Sequence, residues 1–302
     1  MDRLRELEVF IAVADAGSFA AAGRALGLSA PSVTRLVSGL EERLGTQLFI
    51  RTTRSLTLSE SGFDLLERAR RLVADAQALE EHALGRAVVP RGHLTISASV
   101  TFGRSVLAPV LRSFLDSHHD VTVHAMLLDR VVNLVEEGID LAVRIGELPD
   151  SSLIARRVGS VRRMLVASPD YLAAHGTPQR AAELRDHAVI AFTGLMPNRE
   201  WRHVEDGQPG RVPLKPRLEI NDTVAAIDAA RHGGGITIAL SYMIDQELAE
   251  GSLVPVLSSA SPPAVPVHLV HAQGRLVAPK VRAFLDHASP RLQQALWALS
   301  ER

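Results

Sequence analysis

The chain reads as a multidomain protein with an N-terminal all-α winged helix-turn-helix, a long linker helix, and a C-terminal α/β body of two lobes. Three observations predict this. Two short helical patterns meet at Gly27 and are followed by two short β-type runs around Arg51 to Arg54. One uninterrupted helical pattern then follows Ser59. Beyond Gly92, strand and helix patterns alternate.

The sequence opens with MDRLRELEVF, the start of a charged amphipathic helix. The first helix of the pair covers roughly Phe19 to Leu26, and its small residues Ala20, Ala21, Ala22 and Gly23 let a neighbouring helix approach closely. Gly27 supplies the tight turn. Ser29 is placed to cap the next helix, Pro31 is tolerated in its first turn, and Val33, Leu36, Val37, Leu40 and Leu44 form one apolar stripe. Ala30, Ser32, Thr34, Arg35 and Ser38 then point mostly outward. Short polar or small side chains with one Arg suit a major groove, where Arg reads guanine and methyl-sized groups meet thymine. The alternative is an ordinary helical hairpin with a solvated face. Leu48, Phe49 and Ile50 lead into Arg51-Thr52-Thr53-Arg54 and then Leu56-Thr57-Leu58, two strands around a basic turn, as a wing beside a recognition helix requires. Arg51 and Arg54 are placed for phosphate or minor groove, unless the turn is a solvated hairpin tip.

These residues resemble the LysR-type transcriptional regulators, and the similarity covers essentially the full chain. It is carried by Phe10, Ala16-Gly17-Ser18-Phe19, Ala25-Leu26-Gly27-Leu28-Ser29, Pro31-Ser32-Val33-Thr34-Arg35, Leu40-Glu41, Leu44-Gly45 and Leu48-Phe49. Two positions depart from the pattern: Gly23 stands where alanine is common, and Ala30 where glutamine is common. Ala30 cannot hydrogen-bond a base edge, which leaves Thr34, Arg35 and the surface of Ala30 and Pro31 as readers. The resemblance implies a sequence-specific regulator on double-stranded promoter DNA, controlled by a small-molecule effector between two C-terminal lobes, with RNA polymerase a further partner.

Net charge opposes nucleic-acid binding, because the whole chain sums to −1. Placement answers the objection. Seven arginines balance seven acids up to Gly62, but the acids cluster in the first helix and late in the third, whereas Arg35, Arg51 and Arg54 belong to the DNA face. Binding is therefore expected to be modest per domain and salt-sensitive, and to need two domains. The 302 residues, 46% hydrophobic and 22% charged, suffice for two or three domains. No run reaches the ~18 apolar residues of a membrane span, and the N-terminal segment lacks a signal-peptide core, so a cytoplasmic protein is expected. Without cysteine there are no disulfides or thiolate metal sites, and the twelve histidines form no ligand pattern, so no cofactor or metal is expected.

Ser59 can cap a helix continuing to about Leu84, on which Leu65, Leu66, Ala69, Leu72, Val73, Ala76, Leu79 and Ala83 recur at helical spacing. It would be on the order of 40 Å long. It either packs on its own domain or pairs with a second copy; the resemblance implies antiparallel pairing, hence a homodimer or homotetramer. The expected domains are 1–58, 59–88 and 89–302, the last with lobe I at 89–162 and 268–302 and lobe II at 163–267. Gly85 to Gly92 is the hinge.

In lobe I, strands at His93 to Ser97, Val121 to Leu127 and Leu141 to Ile145 alternate with helices at Val106 to Asp116 and Val131 to Glu137, implying a parallel sheet. Lobe II has strands at Arg163 to Ala167, Ala188 to Phe192, Arg217 to Ile220 and Ile236 to Ala239, with helices near Thr223 to His232 and Ser241 to Glu250. Strand Val267 to His271 and helix Pro279 to Ala288 return to lobe I. Two such units joined by crossing strands resemble periplasmic-binding-protein domains, whose ligands sit between lobes, outside strand carboxyl ends.

Ser97, Ser99, Val100 and Thr101 end the first strand where a helix begins, which favours a carboxylate, such as that of a small organic acid, unless Ser99 or Thr101 is only a cap. Arg144-Ile145-Gly146 matches a frequent pattern of the resembled family; Arg144 suits a carboxylate or the other lobe. Asn221-Asp222-Thr223 begins a helix as a cap and pocket wall, and Phe192, Thr193 and Trp201 are placed on the facing lobe. Gly233-Gly234-Gly235 follows a helix and precedes no Lys-Ser/Thr, so it reads as a helix end and not as a phosphate loop. An enzyme with a DNA-binding appendage is disfavoured, since no Gly-x-Ser-x-Gly elbow, metal spacing or carboxylate dyad occurs.

Overall fold

Local capping signals set the helices of the N-terminal part. α1 (Arg3–Ala16) starts at Asp2, whose carboxylate accepts from the Leu4 amide (3.0 Å), and ends at Gly17. α2 (Phe19–Leu26) starts at Ser18 and ends at Gly27, which adopts φ 66°. α3 (Ala30–Leu44) starts at Ser29, whose Oγ accepts from the Ser32 amide (3.3 Å), and closes at Gly45. The computed structural model describes residues 2–51, 56–83, 89–148, 153–205, 207–273 and 277–300. They fall into two units, the first Met1–Leu94 with His118–Thr122 and Leu276–Ala283, the second Thr95–Ser117, Val123–Arg275 and Phe284–Arg302.

In the first unit Val9, Phe10 and Val13 of α1, Ala22 of α2, and Val33, Val37 and Leu40 of α3 bury together. Gly23 is needed where α2 meets the turn: a Cβ there would stand 2.7 Å from the Leu28 carbonyl oxygen. Leu44 does not continue the buried stripe; it lies in the last turn of α3, past the core, and is 43% exposed. β1 (Phe49–Arg51) and β2 (Leu56–Leu58) pair antiparallel as the wing, and Phe49 packs edge-on against Phe10 and Phe19. α4 (Glu60–Ala83) follows Ser59, whose Oγ accepts from the Gly62 amide (3.0 Å). Leu66, Ala69 and Val73 are buried, and α4 packs on α1. Leu72, expected on the same stripe, is 56% exposed, as is Phe63 at 68%. The side chains of Leu79 and Ala83 and the hinge residues 85–88 lie outside the described set.

The second unit is built on two five-stranded mixed sheets. The first has the order β4-β3-β5-β14-β6, from β3 (Gly92–Ala98), β4 (Val121–Leu127), β5 (Leu141–Ile145), β6 (Leu153–Val161) and β14 (Val265–Ala272). β3 runs parallel to β5, but β14 is antiparallel to both β5 and β6, so the sheet is not wholly parallel as expected. The second sheet, β11-β8-β12-β7-β13, comprises β7 (Arg163–Ala167), β8 (Val189–Phe192), β11 (Pro216–Ile220), β12 (Ile236–Leu240) and β13 (Val254–Val256). The chain crosses between sheets at Arg162 and again after β13.

Helices differ from expectation in four places, one being the helix expected from Ser241, which begins only at Asp245 after a 3-10 turn at Ser241–Met243. α5 (Val100–Phe102) begins directly after β3 and continues through a π turn at Gly103–Leu107 into α6 (Ala108–Ser117), so this helix starts well before Val106. Val131 to Glu137 is not a helix: Asn133 Oδ1 accepts from the Val135 amide and the Glu137 carboxylate from the Asn133 amide, so side chains take the amides before Gly138 turns the chain. After α7 (Pro169–His175) come the hairpin of β9 (Glu200–Glu205) and β10 (Gln208–Pro213), α8 (Thr223–Arg231) and α9 (Asp245–Glu250). The last helix, α10 (Pro279–Ser300), runs past Ala288 and through Pro290, where Arg156 donates to Ser289 Oγ (3.2 Å). Gly233 to Gly235 form the turn from α8 into β12, and a Cβ on Gly235 would meet the Ala188 carbonyl oxygen at 2.3 Å.

Candidate nucleic-acid interface and ligand cavity

The first turns of α3 present an open polar face. Ser29, Ala30, Pro31, Arg35 and Ser38 are exposed, and Ser32 and Thr34 half-buried. Ser32 and Ser29 hydroxyls bond each other (2.8 Å), and the Thr34 hydroxyl donates to the Ala30 carbonyl (3.0 Å), which leaves the Thr34 methyl for apolar contact. Among the described residues Arg35 has no hydrogen bond or ion pair, so its guanidinium is available. Arg51 is differently placed. It reaches Glu41 (3.2 Å) and lies 4.5 Å over the Phe19 ring, which fixes it beside α3. The same Glu41 carboxylate accepts from the amides of Leu48 (2.8 Å) and Phe49 (3.2 Å). Glu41 thus ties the wing to α3, a role that sequence spacing did not show. Buried Glu6 of α1 pairs with Arg43, which ties α1 to the end of α3. Arg54 lies outside the described residues.

In the second unit a cavity of about 760 Å³ is walled by both sheets. Ser97, Ser99, the loop Leu128 to Val132, and Arg144, Ile145 and Gly146 line it from the first sheet; Arg163, Phe192, Gly194, Leu195, Tyr242 and Met243 line it from the second. Asp129 fills the position where a ligand carboxylate was expected: its Oδ1 accepts from the Val100 amide (3.0 Å), and Ser99 makes no capping bond. The loop is buckled by Arg130, which donates to both oxygens of Glu137 (2.9 and 2.6 Å). The Arg130 hydrogen bond, then the Asn133 amide, lowers the Glu137 pKa to about 2. Arg144 donates to the Val132 carbonyl (2.5 Å), and burial lowers its pKa. Gly146 adopts φ 128°, a conformation suited to glycine, with open space beside it.

Arg163 differs from the other two arginines of the cavity wall. It has no hydrogen bond or ion pair among the described residues, its Nε is buried, and burial followed by the charge of Arg202 lowers its pKa. The Tyr242 hydroxyl is also buried without a well-formed hydrogen bond, while its ring packs edge-on against Phe102 (5.2 Å). Burial drives its pKa up, and the nearby Ser99 hydroxyl pulls the other way.

A family model described as the bacterial regulatory helix-turn-helix protein, lysR family, matches residues 4–63, and one described as the LysR substrate binding domain matches residues 88–293. The chain belongs to the LysR family of transcriptional regulators. This LysR-type regulator is 34% identical over 282 residues to the HTH-type transcriptional regulator CrgA of Neisseria meningitidis, covering 93% of this chain and 94% of that protein. The solved CrgA structure superposes with a TM-score of 0.62 at 32% identity, covering 95% of this chain and 98% of CrgA. The full-length Vibrio cholerae virulence activator AphB gives 0.61 at 28% identity, with 95% and 98% coverage. An HTH-type transcriptional repressor of Pseudomonas aeruginosa is 34% identical, with 95% and 91% coverage. These relatives are named regulators and not enzymes.

Within the LysR-type regulator, several residues expected in the cavity lie elsewhere. Trp201 is 1% exposed in the core of the second sheet, because the β9–β10 hairpin turns it inward. Asp222 accepts from the Ala225 amide (2.7 Å) as the α8 cap, Thr223 is buried beneath it, and Asn221 is exposed. Val100, Thr101 and Thr193 do not line the cavity either, since Val100 and Thr193 face solvent and Thr101 turns with α5. Arg163 and Tyr242 were missed: each is one residue of an apolar β or turn segment, with no motif around it. Among the described residues no helix is long and apolar enough to cross a membrane, and no group of three or more His, Cys, Asp or Glu could hold a metal ion.

Proposed function

We propose that this regulator reads promoter DNA with α3 and the wing, pairs through α4, and is controlled by a small-molecule effector in the cavity between the two sheets. The observation that carries the reading is that both sheets wall one cavity while, among the described elements, the chain crosses between them at Arg162 and after β13. A ligand that prefers one spacing of the lobes by a few kcal/mol shifts their equilibrium. Arg35 supports the DNA face through its free guanidinium, and exposed Leu72 supports a second copy against α4. The working parts are then 1–58 for DNA, 59–88 for pairing and 89–302 for the effector, in a cytoplasmic homodimer or homotetramer that meets RNA polymerase at the promoter. An activator and a repressor both occur among the similar proteins.

The test is selection of double-stranded DNA by the full chain from a random pool, then footprinting with and without candidate effectors. Enrichment of two related half-sites, with a footprint that changes on adding a compound that also raises the melting temperature, is expected. Failure to enrich any sequence would refute the DNA reading. A stabilising compound that leaves the footprint unchanged would refute the control.

A further inference from the structure

We infer that the effector is an anion with an apolar body, and that Arg163 is the residue that holds its charge; this rests on reading the cavity as the effector site. The start of α5 is not free to hold a ligand carboxylate, because Asp129 accepts from the Val100 amide there (3.0 Å) and would repel a second anion. Of the three arginines in the wall, Arg130 is held at both ends of the Glu137 carboxylate and Arg144 donates to the Val132 carbonyl. Arg163 makes neither kind of bond among the described residues, its Nε is buried, and the charge acting on it is the like charge of Arg202.

A part-buried cation without a counter-charge costs free energy in the empty protein. The same desolvation strengthens its attraction to an anion that enters. Tyr242 adds a second group: 4% exposed and without a well-formed hydrogen bond, it is an O–H donor. It lies two residues beyond Leu240, the β12 residue in register with Arg163 of β7, so the donor and the cation come from one end of the same sheet. The rest of the wall is largely apolar, with Leu128, Val132, Ile145, Phe192, Leu195 and Met243. About 760 Å³ is room for a ring or short branched chain behind one carboxylate.

The experiment is thermal melting of the full chain with benzoate, cyclohexanecarboxylate and hexanoate, each beside its neutral amide, and with phenol. Wild type, Arg163→Met, Arg163→Lys and Tyr242→Phe are compared. At least one acid is expected to raise Tm by roughly 5 °C at saturation while its amide does not. Arg163→Met should abolish that rise, Arg163→Lys should keep part of it, and Tyr242→Phe should weaken binding severalfold. Without any ligand, Arg163→Met should melt at or above wild type, since the charge it removes is uncompensated. An acid and its amide acting alike, or a full response in Arg163→Met, would overturn the inference. If neutral compounds alone raise Tm, the anion falls and the cavity reading stands. If nothing raises Tm and ligand-free Arg163→Met melts several degrees below wild type, Arg163 is a structural residue and both readings fall.

Discussion

Replacing Glu41 by alanine should loosen the wing from the recognition helix. The Glu41 carboxylate accepts from the amides of Leu48 (2.8 Å) and Phe49 (3.2 Å) and pairs with Arg51 (3.2 Å). A hydrogen bond to a charged acceptor contributes roughly 1.5–3 kcal/mol, and the shorter of the two backbone bonds belongs nearer the top of that range. The Arg51 pair adds less than about 1 kcal/mol, because its guanidinium is 41% exposed. Water reaching the freed amides offsets part of this, so the expected loss is about 3 kcal/mol, which corresponds to roughly a hundredfold faster amide exchange. Hydrogen exchange read at Leu48 and Phe49 is the assay. Glu41→Gln, which keeps one acceptor oxygen, should lie between wild type and Glu41→Ala. Exchange at both amides within roughly threefold of wild type in Glu41→Ala would show that the wing is held by the packing of Phe49 alone.

Three further outcomes test the remaining assignments. Arg35→Ala should lose roughly 1–3 kcal/mol of discrimination at a guanine-containing position, whereas Arg51→Ala should weaken all sequences alike and lower the salt slope by about one; anisotropy titrations at several salt concentrations separate these, and equal selectivity in Arg35→Ala would move the reading off α3. Leu72→Asp places a charge on an exposed apolar position of α4, and sedimentation velocity should show a shift toward monomer; an unchanged assembly would remove α4 from the interface. Because Arg130 depresses Glu137 from 4.5 to about 2, the loop stabilisation from this pair is fully present above pH 4.5 and is lost as pH falls through about 2. NMR titration of the Glu137 carboxyl checks this, and an ordinary value would mean that the buckle is open in solution.

Much of the N-terminal unit was legible because its instructions are local. Ser18 and Ser29 cap helices a few residues ahead, and Gly17, Gly27 and Gly45 close them with positive φ. The second unit was legible where strands alternate or run apolar, as in β7 and β12, and illegible where neighbours override pattern. β6 shows no alternation, since Ile154 to Arg157 are exposed on an edge strand, and the chain there gives no periodic signal. The sequence ended the last helix at Ala288, yet α10 runs on through Pro290, beside which Arg156 donates to Ser289 Oγ.

The candidate sites divide in the same way. The outward residues of α3 follow from one helix and its cap, so Ser29, Pro31 and Arg35 could be placed from spacing alone. Charge compensation has no such local code. Asp129 reaches Val100 from the loop after β4, Glu41 reaches across to the wing, and among the described residues Arg163 meets only the like charge of Arg202, which lies far along the chain. Sequence by itself determined the family, the capped helices and the outward side of α3, since hydrogen bonds within a few residues dictate where these helices begin and end. Only the tertiary structure decided which polar groups are already satisfied and which are left for a ligand, because desolvation and pairing depend on every neighbour that folding brings within a few ångströms.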